Sequence, residues 1–136
     1  METPKFGCVV QGAASYESQQ GSTYAPGISA ETVGATALFL GLVTLPPGGQ
    51  TKSHVHAFHE SAFYMLSGDE VELWTGDRLE HKDVARPGDF LFIPANVAHV
   101  AVNRSEITPA VFVGVRNDPT AQESVVMMSD FDALVP

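Results

Sequence analysis

Residues 71–94 read VELWTGDRLEHKDVARPGDFLFIP. Three short runs, 71–75, 79–85 and 89–93, are separated by Gly76-Asp77 and Pro87-Gly88 and stopped by Pro94. Gly-Asp between two short runs is a hairpin signal, and Pro-Gly is turn chemistry that neither a helix nor a central strand accepts. The punctuation continues on both sides. Upstream, the runs 35–45, 51–57 and 61–67 are closed by Pro46-Pro47-Gly48-Gly49 and Gly68-Asp69. Downstream lie 97–103, 110–115 and 124–128. Strands recurring about every ten residues, with no sustained 3.6-residue period, predict an all-β antiparallel sandwich or small barrel. A helical turn is expected only near Asp130 to Leu134 in the acidic tail.

With 136 residues the chain has room for one domain of this kind, divided as an N-terminal arm over 1–35 with room for a short strand, a barrel over 36–128 and a tail over 129–136. The arm is set apart by its Ser, Gly, Gln and Ala content between residues 11 and 35. Sixteen acidic residues against seven basic ones give a net charge of −9, which repels phosphate backbones and anionic lipid, so no nucleic acid and no membrane partner is expected. No apolar stretch is long enough to cross a bilayer, and the first twelve residues lack the basic start and apolar run of a signal peptide. A cytoplasmic protein is the expectation. Cys8 is the single cysteine; it cannot form an intrachain disulfide, and an inert buried thiol is expected of it.

The chemistry concentrates in the histidines. His54 and His56 are two apart in a predicted strand and therefore share a face. His59 and Glu60 follow at once. His99 arrives on a later strand, five residues after Pro94, and antiparallel strands distant in sequence can bring it to the same interior. Three imidazoles on rigid strands fill three neighbouring positions around a divalent transition metal such as Fe, Mn, Zn, Ni or Cu. A carboxylate or a fourth imidazole would leave one or two positions for water or substrate. His81, between Glu80 and Lys82 beyond the hairpin, reads as a surface histidine.

Over Gly48 to Asn103 the chain resembles the cupin superfamily. The first cupin motif is matched by Gly48, by His54 and His56 after five residues, by Glu60 after three more, and by Gly68. The second is matched by Gly88, Pro94, His99 and Asn103. The run HESAFYMLSG at 59–68 looks like that of small single-domain bacterial cupins of the RmlC-like, cupin_2 type. The resemblance implies a double-stranded β-helix, or jelly-roll barrel, with a metal in its mouth held by the matching residues. It also implies a homodimer.

Two departures from the pattern bear on the site. Asn96 stands where the motif has glycine, and Asn tolerates the left-handed conformation that such a turn needs. Counting forward from His56 selects Glu60 as carboxylate ligand, whereas counting back six residues from Gly68 selects Ser61; a one-residue bulge would reconcile the two. Three ligand sets therefore stay open: the three histidines with Glu60, the same three with His59, or the three alone. Glu60 or His59 would complete the coordination or act as general base. If the parity of Ser61 faces inward, Phe63 and Met65 line a cavity suited to a small organic substrate. Tyr64 and Trp74 are read as core or rim aromatics.

The function expected is that of a metal-binding protein for small molecules: an enzyme of dioxygenase, isomerase, lyase or cyclase type, or a non-catalytic binding or sensing module. A storage-type barrel whose motif is only structural is the remaining reading. The fold does not choose among these chemistries.

Overall fold

The computed structural model describes residues 1–12, 16–17, 22–120, 125–128 and 134–135. Strands β1 (Tyr16–Glu17), β2 (Thr23–Ile28) and β3 (Phe39–Leu45) come first, with a one-turn helix α1 (Ala30–Val33) between β2 and β3. Then follow β4 (His54–His56), β5 (Ser61–Ser67), β6 (Val71–Thr75), β7 (His81–Ala85), β8 (Phe90–Ile93), β9 (His99–Asn103), β10 (Ala110–Arg116) and β11 (Val125–Met127). They form two antiparallel sheets. The larger runs β1-β2-β3-β10-β5-β8 and the smaller β11-β4-β9-β6-β7. Through the middle of the chain the strands alternate between the sheets, apart from the β6–β7 hairpin within the smaller one; this is the double-stranded β-helix that the cupin resemblance implies.

The expected strands are all present: β5 and β6 have the expected bounds, β10 runs one residue further, to Arg116, and the other runs are shortened. Leu79 is left out of β7 because it sits in the turn with φ 52°, where its side chain is buried. The expected turn near Asp130 to Leu134 lies almost wholly outside the described residues. Segment 1–35 contributes β2, which pairs with β3 from Thr23↔Thr44 to Ile28↔Leu40, so its second half is part of the larger sheet. Helix α1 is held by a capping box in which Ser29 and Thr32 satisfy each other's backbone and side chain, and it stops at Gly34 in the left-handed region.

The core fills the space between the sheets. Phe39, Val43 and Leu45 of β3, Phe112 of β10 and Met65 of β5 face Val71 and Leu73 of β6. Each fully buried aliphatic or aromatic side chain of this kind stabilises the fold by roughly 1.5–3 kcal/mol. A second cluster lies on the other face of the smaller sheet, where Val100 and Val102 pack under Leu79, Ala98 and Val135.

Two details tie the barrel ends to the strands that will matter below. Asn103 is fully buried, and its Nδ2 donates to the carbonyls of Leu45, Pro46 and Thr108, which pins the end of β9 to the loop after β3. Asn96 has φ 63°, the left-handed turn for which the motif uses glycine.

Candidate metal centre

His54 and His56 are the two inward positions of β4, and both are buried. Only one β4 residue pairs with β9, and it is His54, directly opposite His99. Just before β4 the chain keeps to β9 through Thr51, whose N–H donates to the Ala101 carbonyl while its Oγ1 accepts from the Ala101 N–H. On its other side His99 pairs with Thr75 of β6. The three rings are thus fixed by backbone ladders on three strands. One ring nitrogen from each of His54, His56 and His99 lies within 4.8 Å of the other two. This cluster can hold a metal ion.

The outer ring nitrogens are tied back. His54 Nδ1 lies 2.6 Å from the Lys52 carbonyl, and His99 Nδ1 lies 2.9 Å from the Val97 carbonyl. A carbonyl only accepts, so both Nδ1 atoms carry the ring proton and both Nε2 atoms present a lone pair. This is the orientation in which backbone carbonyls hold metal-ligating imidazoles. His56 Nε2 lies 3.0 Å from His99 Nε2, within the roughly 2.9–3.4 Å expected of two nitrogens on one metal at ~2.0–2.1 Å.

The protons on the neighbouring rings favour a cation between those two atoms. His56 Nδ1 lies 3.0 Å from His59 Nε2, and His59 Nδ1 lies 3.7 Å from Asp118 Oδ2. If His56 used a proton on Nε2 to meet His99, its Nδ1 would be an acceptor. His59 would then have to donate from Nε2 and would need a second proton to meet the Asp118 carboxylate. A cation among the three histidines removes that demand. His56 Nδ1–H then donates to His59 Nε2, and the His59 Nδ1–H faces Asp118. The donor set fits a divalent transition metal, with His59 behind His56 and not beside it.

The structure separates the other candidates. Glu60 is exposed, and its backbone N–H donates to Asn117 Oδ1, so its side chain is not brought to the cluster. Ser61 is buried, and its Oγ has no hydrogen-bond partner among the described residues. Strand β5 does carry a one-residue irregularity, since Val111 pairs with Ser67 and Phe112 with Met65. It falls at Leu66, too far along to turn Glu60 inward. Burying that carboxylate without a partner would cost far more than burying a serine hydroxyl at the same turn.

Beside the histidines lies a cavity of about 60 Å3 lined by apolar side chains, among them Leu45, Phe63, Leu91, Ile93 and Phe112. Ser22, Tyr24 and Thr51 also line it, and none of its lining residues is Asp, Glu, Lys or Arg. Phe63 lines it as expected. Met65 is fully buried in the core and does not. Trp74 lies elsewhere, its indole N–H donating to Glu72 Oε1, and Tyr64 is on the outer face of its sheet. His81 is exposed and paired with Asp83. Cys8 is exposed, contrary to the buried thiol expected, because the first twelve residues run over the surface. Asp118 escaped the sequence reading; its only signal was Asn117-Asp118-Pro119, a turn whose distance from the histidine motif gave no reason to join them.

Residues 41–116, more than half of the chain, match the Cupin domain family. The chain belongs to the cupin family. Among curated proteins, this cupin is 33% identical over 95 residues to the tetracenomycin polyketide synthase protein TcmJ of Streptomyces glaucescens, covering 68% of the chain and 59% of that protein. It is 38% identical over 55 residues to quercetin 2,3-dioxygenase of Bacillus subtilis, covering 40% of the chain and 15% of the relative. The chain therefore spans only part of the length of each. Among solved structures, an uncharacterized protein with a double-stranded β-helix domain from Klebsiella pneumoniae matches with a TM-score of 0.65 at 18% identity, over 84% of each chain. The formate complex of an oxalate decarboxylase from Lactobacillus farciminis matches with a TM-score of 0.69 at 19% identity, over 90% of this chain and 36% of the other. At such identities these two structures bear on the fold alone. Among the described residues no helix is long and apolar enough to cross a membrane.

Proposed function

We propose that this cupin is a metal-dependent enzyme acting on a small organic substrate, with His54, His56 and His99 as the ligands of one divalent transition metal. The observation that carries the reading is the convergence of three ring nitrogens within 4.8 Å while the far nitrogens of His54 and His99 are held by backbone carbonyls. When bound, the metal would supply Lewis acidity or, for a redox-active ion, dioxygen chemistry. The chain's own part is to present three neutral imidazoles and to leave the remaining positions open. His59 and Asp118 fix the tautomer of His56. Ser61 takes the inward position at the start of β5, where the motif count from Gly68 asks for the carboxylate. The apolar cavity excludes water from the reacting end of a substrate and has no charged side chain in its lining. Relatives named for quercetin dioxygenation and polyketide synthesis agree with oxygen-rich organic substrates of this class. The same reading places the protein in the cytoplasm as a homodimer.

The test couples metal to turnover. Purified protein is analysed for metal, stripped with a chelator, reloaded one metal at a time and screened against oxygenated aromatic and dicarbonyl compounds. Turnover that disappears on stripping and returns with one metal supports the reading. Protein that takes up no divalent metal in titration refutes it. Compounds that raise Tm but are recovered unchanged from the loaded protein would make it a binding module instead.

A further inference from the structure

Strands β3, β5, β8 and β10 of the larger sheet read FLGLVTL, SAFYMLS, FLFI and AVFVGVR, with apolar residues at both parities. Such near-continuous runs belong to a sheet buried on both faces, whereas a sheet with one wet face alternates. One face of these strands forms the core. On the other, the register builds two apolar rows straight across four strands. One row runs Leu42, Val113, Tyr64, Phe90, with the last two rings 4.9 Å apart. The next runs Leu40, Val115, Ala62, Phe92. Phe90 is 81% exposed, Phe92 57% and Leu66 47%.

The smaller sheet is treated differently. Its outward Val100 and Val102 are covered by Leu79, Ala98 and Val135 of the chain itself, and the rest of that face carries the ion pairs of Glu72 with Arg104 and Lys82. No described segment does the same for the larger sheet.

We propose that the outer face of β3-β10-β5-β8 is the contact through which two copies of this chain pair, sheet against sheet about a twofold axis. The assignment rests on the homodimer reading above and adds the surface that makes it. The open surface of the two rows and Leu66 is on the order of 700 Å2, beyond the patch of an ordinary monomer and close to the ~800 Å2 each partner gives a stable interface. Charge selects a second copy. Two chains of net charge −9 repel over most of their surfaces, but neither row contains a charged residue, so these faces meet without burying a carboxylate. A twofold contact is also self-complementary by construction, setting like rows against like.

Sedimentation equilibrium at micromolar concentration, with metal content measured in parallel, tests this. The native chain is expected at twice its 14.5 kDa mass. Leu66→Lys with Phe92→Lys should raise the dimer dissociation constant at least 100-fold and leave metal content unchanged. Both side chains are exposed in the single chain, so the substitutions disturb it little. Should the lysine pair fail to fold, Leu66→Ser with Phe92→Ser gives the same reading with a milder change. A dimer undiminished in the folded variant overturns the assigned face and leaves the homodimer standing. A native monomer overturns both, and its co-sedimentation with phosphatidylcholine vesicles would mark the face as a lipid contact instead. Neither outcome touches the metal reading, which the metal measurement decides separately.

Discussion

His54 and His99 face each other directly across the β4–β9 ladder, with ring centroids 4.1 Å apart. That pairing, more than the H-x-H spacing, makes a site. It joins residues 45 positions apart through one backbone register, and β9 is held in place at its far end by Asn103. Replacing either histidine should remove a ligand without removing a core side chain. His54→Ala and His99→Ala are expected to lower metal affinity by more than the roughly 10–100-fold typical of outer-shell changes, while circular dichroism stays that of the native barrel. Elemental analysis showing full occupancy in both variants would exclude the site as drawn.

The neighbours of His56 predict a graded series. His59→Leu removes the acceptor for His56 Nδ1–H and should weaken metal binding roughly 10–100-fold. His59→Gln keeps an acceptor in reach and should recover part of the loss. Glu60→Gln should leave affinity unchanged, since that side chain is at the surface. Pulsed EPR of the Cu(II)-loaded protein counts bound imidazoles; three in both native and His59→Gln protein is the expected result. Four in the native protein would move His59 into the coordination sphere, and an empty Glu60→Gln site would restore the carboxylate ligand.

The all-β class was legible because Pro-Gly and Gly-Asp turns recur at fixed intervals, and these act locally. The three-histidine cluster was legible because strand parity is also local and the motif supplies the distant partner. Three things were not. The choice among Glu60, Ser61 and His59 depends on where β5 begins, and a one-residue shift reverses every side chain in a strand. Asp118 meets His59 only through the return of β10 beside β5. The doubled parity of β3 and β8 was visible as apolar runs, yet nothing in a run says which face the core will take.

Asn103 offers a test of the scaffold. Asn103→Ala removes the fully buried side-chain donor shared by the carbonyls of Leu45, Pro46 and Thr108, of which Pro46 keeps the Gly49 N–H. Unmade hydrogen bonds of this kind cost about 1–3 kcal/mol, so unfolding free energy should fall by that amount, with metal affinity falling too as β9 loosens. A denaturation midpoint equal to that of the native protein would mean that water replaces the side chain at no cost.

Acid stability should carry the mark of Glu72. Burial alone would raise its carboxyl pKa, but hydrogen bonds from Arg104 and Trp74 and the charges of Arg104 and Lys82 outweigh burial and hold it below the ordinary carboxylate value. A pKa lower in the folded than in the unfolded chain means that the unfolded chain binds the proton first. The contribution is therefore complete above the unfolded value and is lost as pH falls through the folded one. Because Arg104 and Lys82 are about half exposed, the pair interactions are worth only about 0.5–1 kcal/mol. Glu72→Gln should lower stability by that amount at neutral pH and by nothing once pH is below the folded pKa. Urea melts of both proteins across the acid range would show the two curves converging; a gap that stays constant down to the lowest pH would mean that packing of the side chain, and not its charge, supplies the difference.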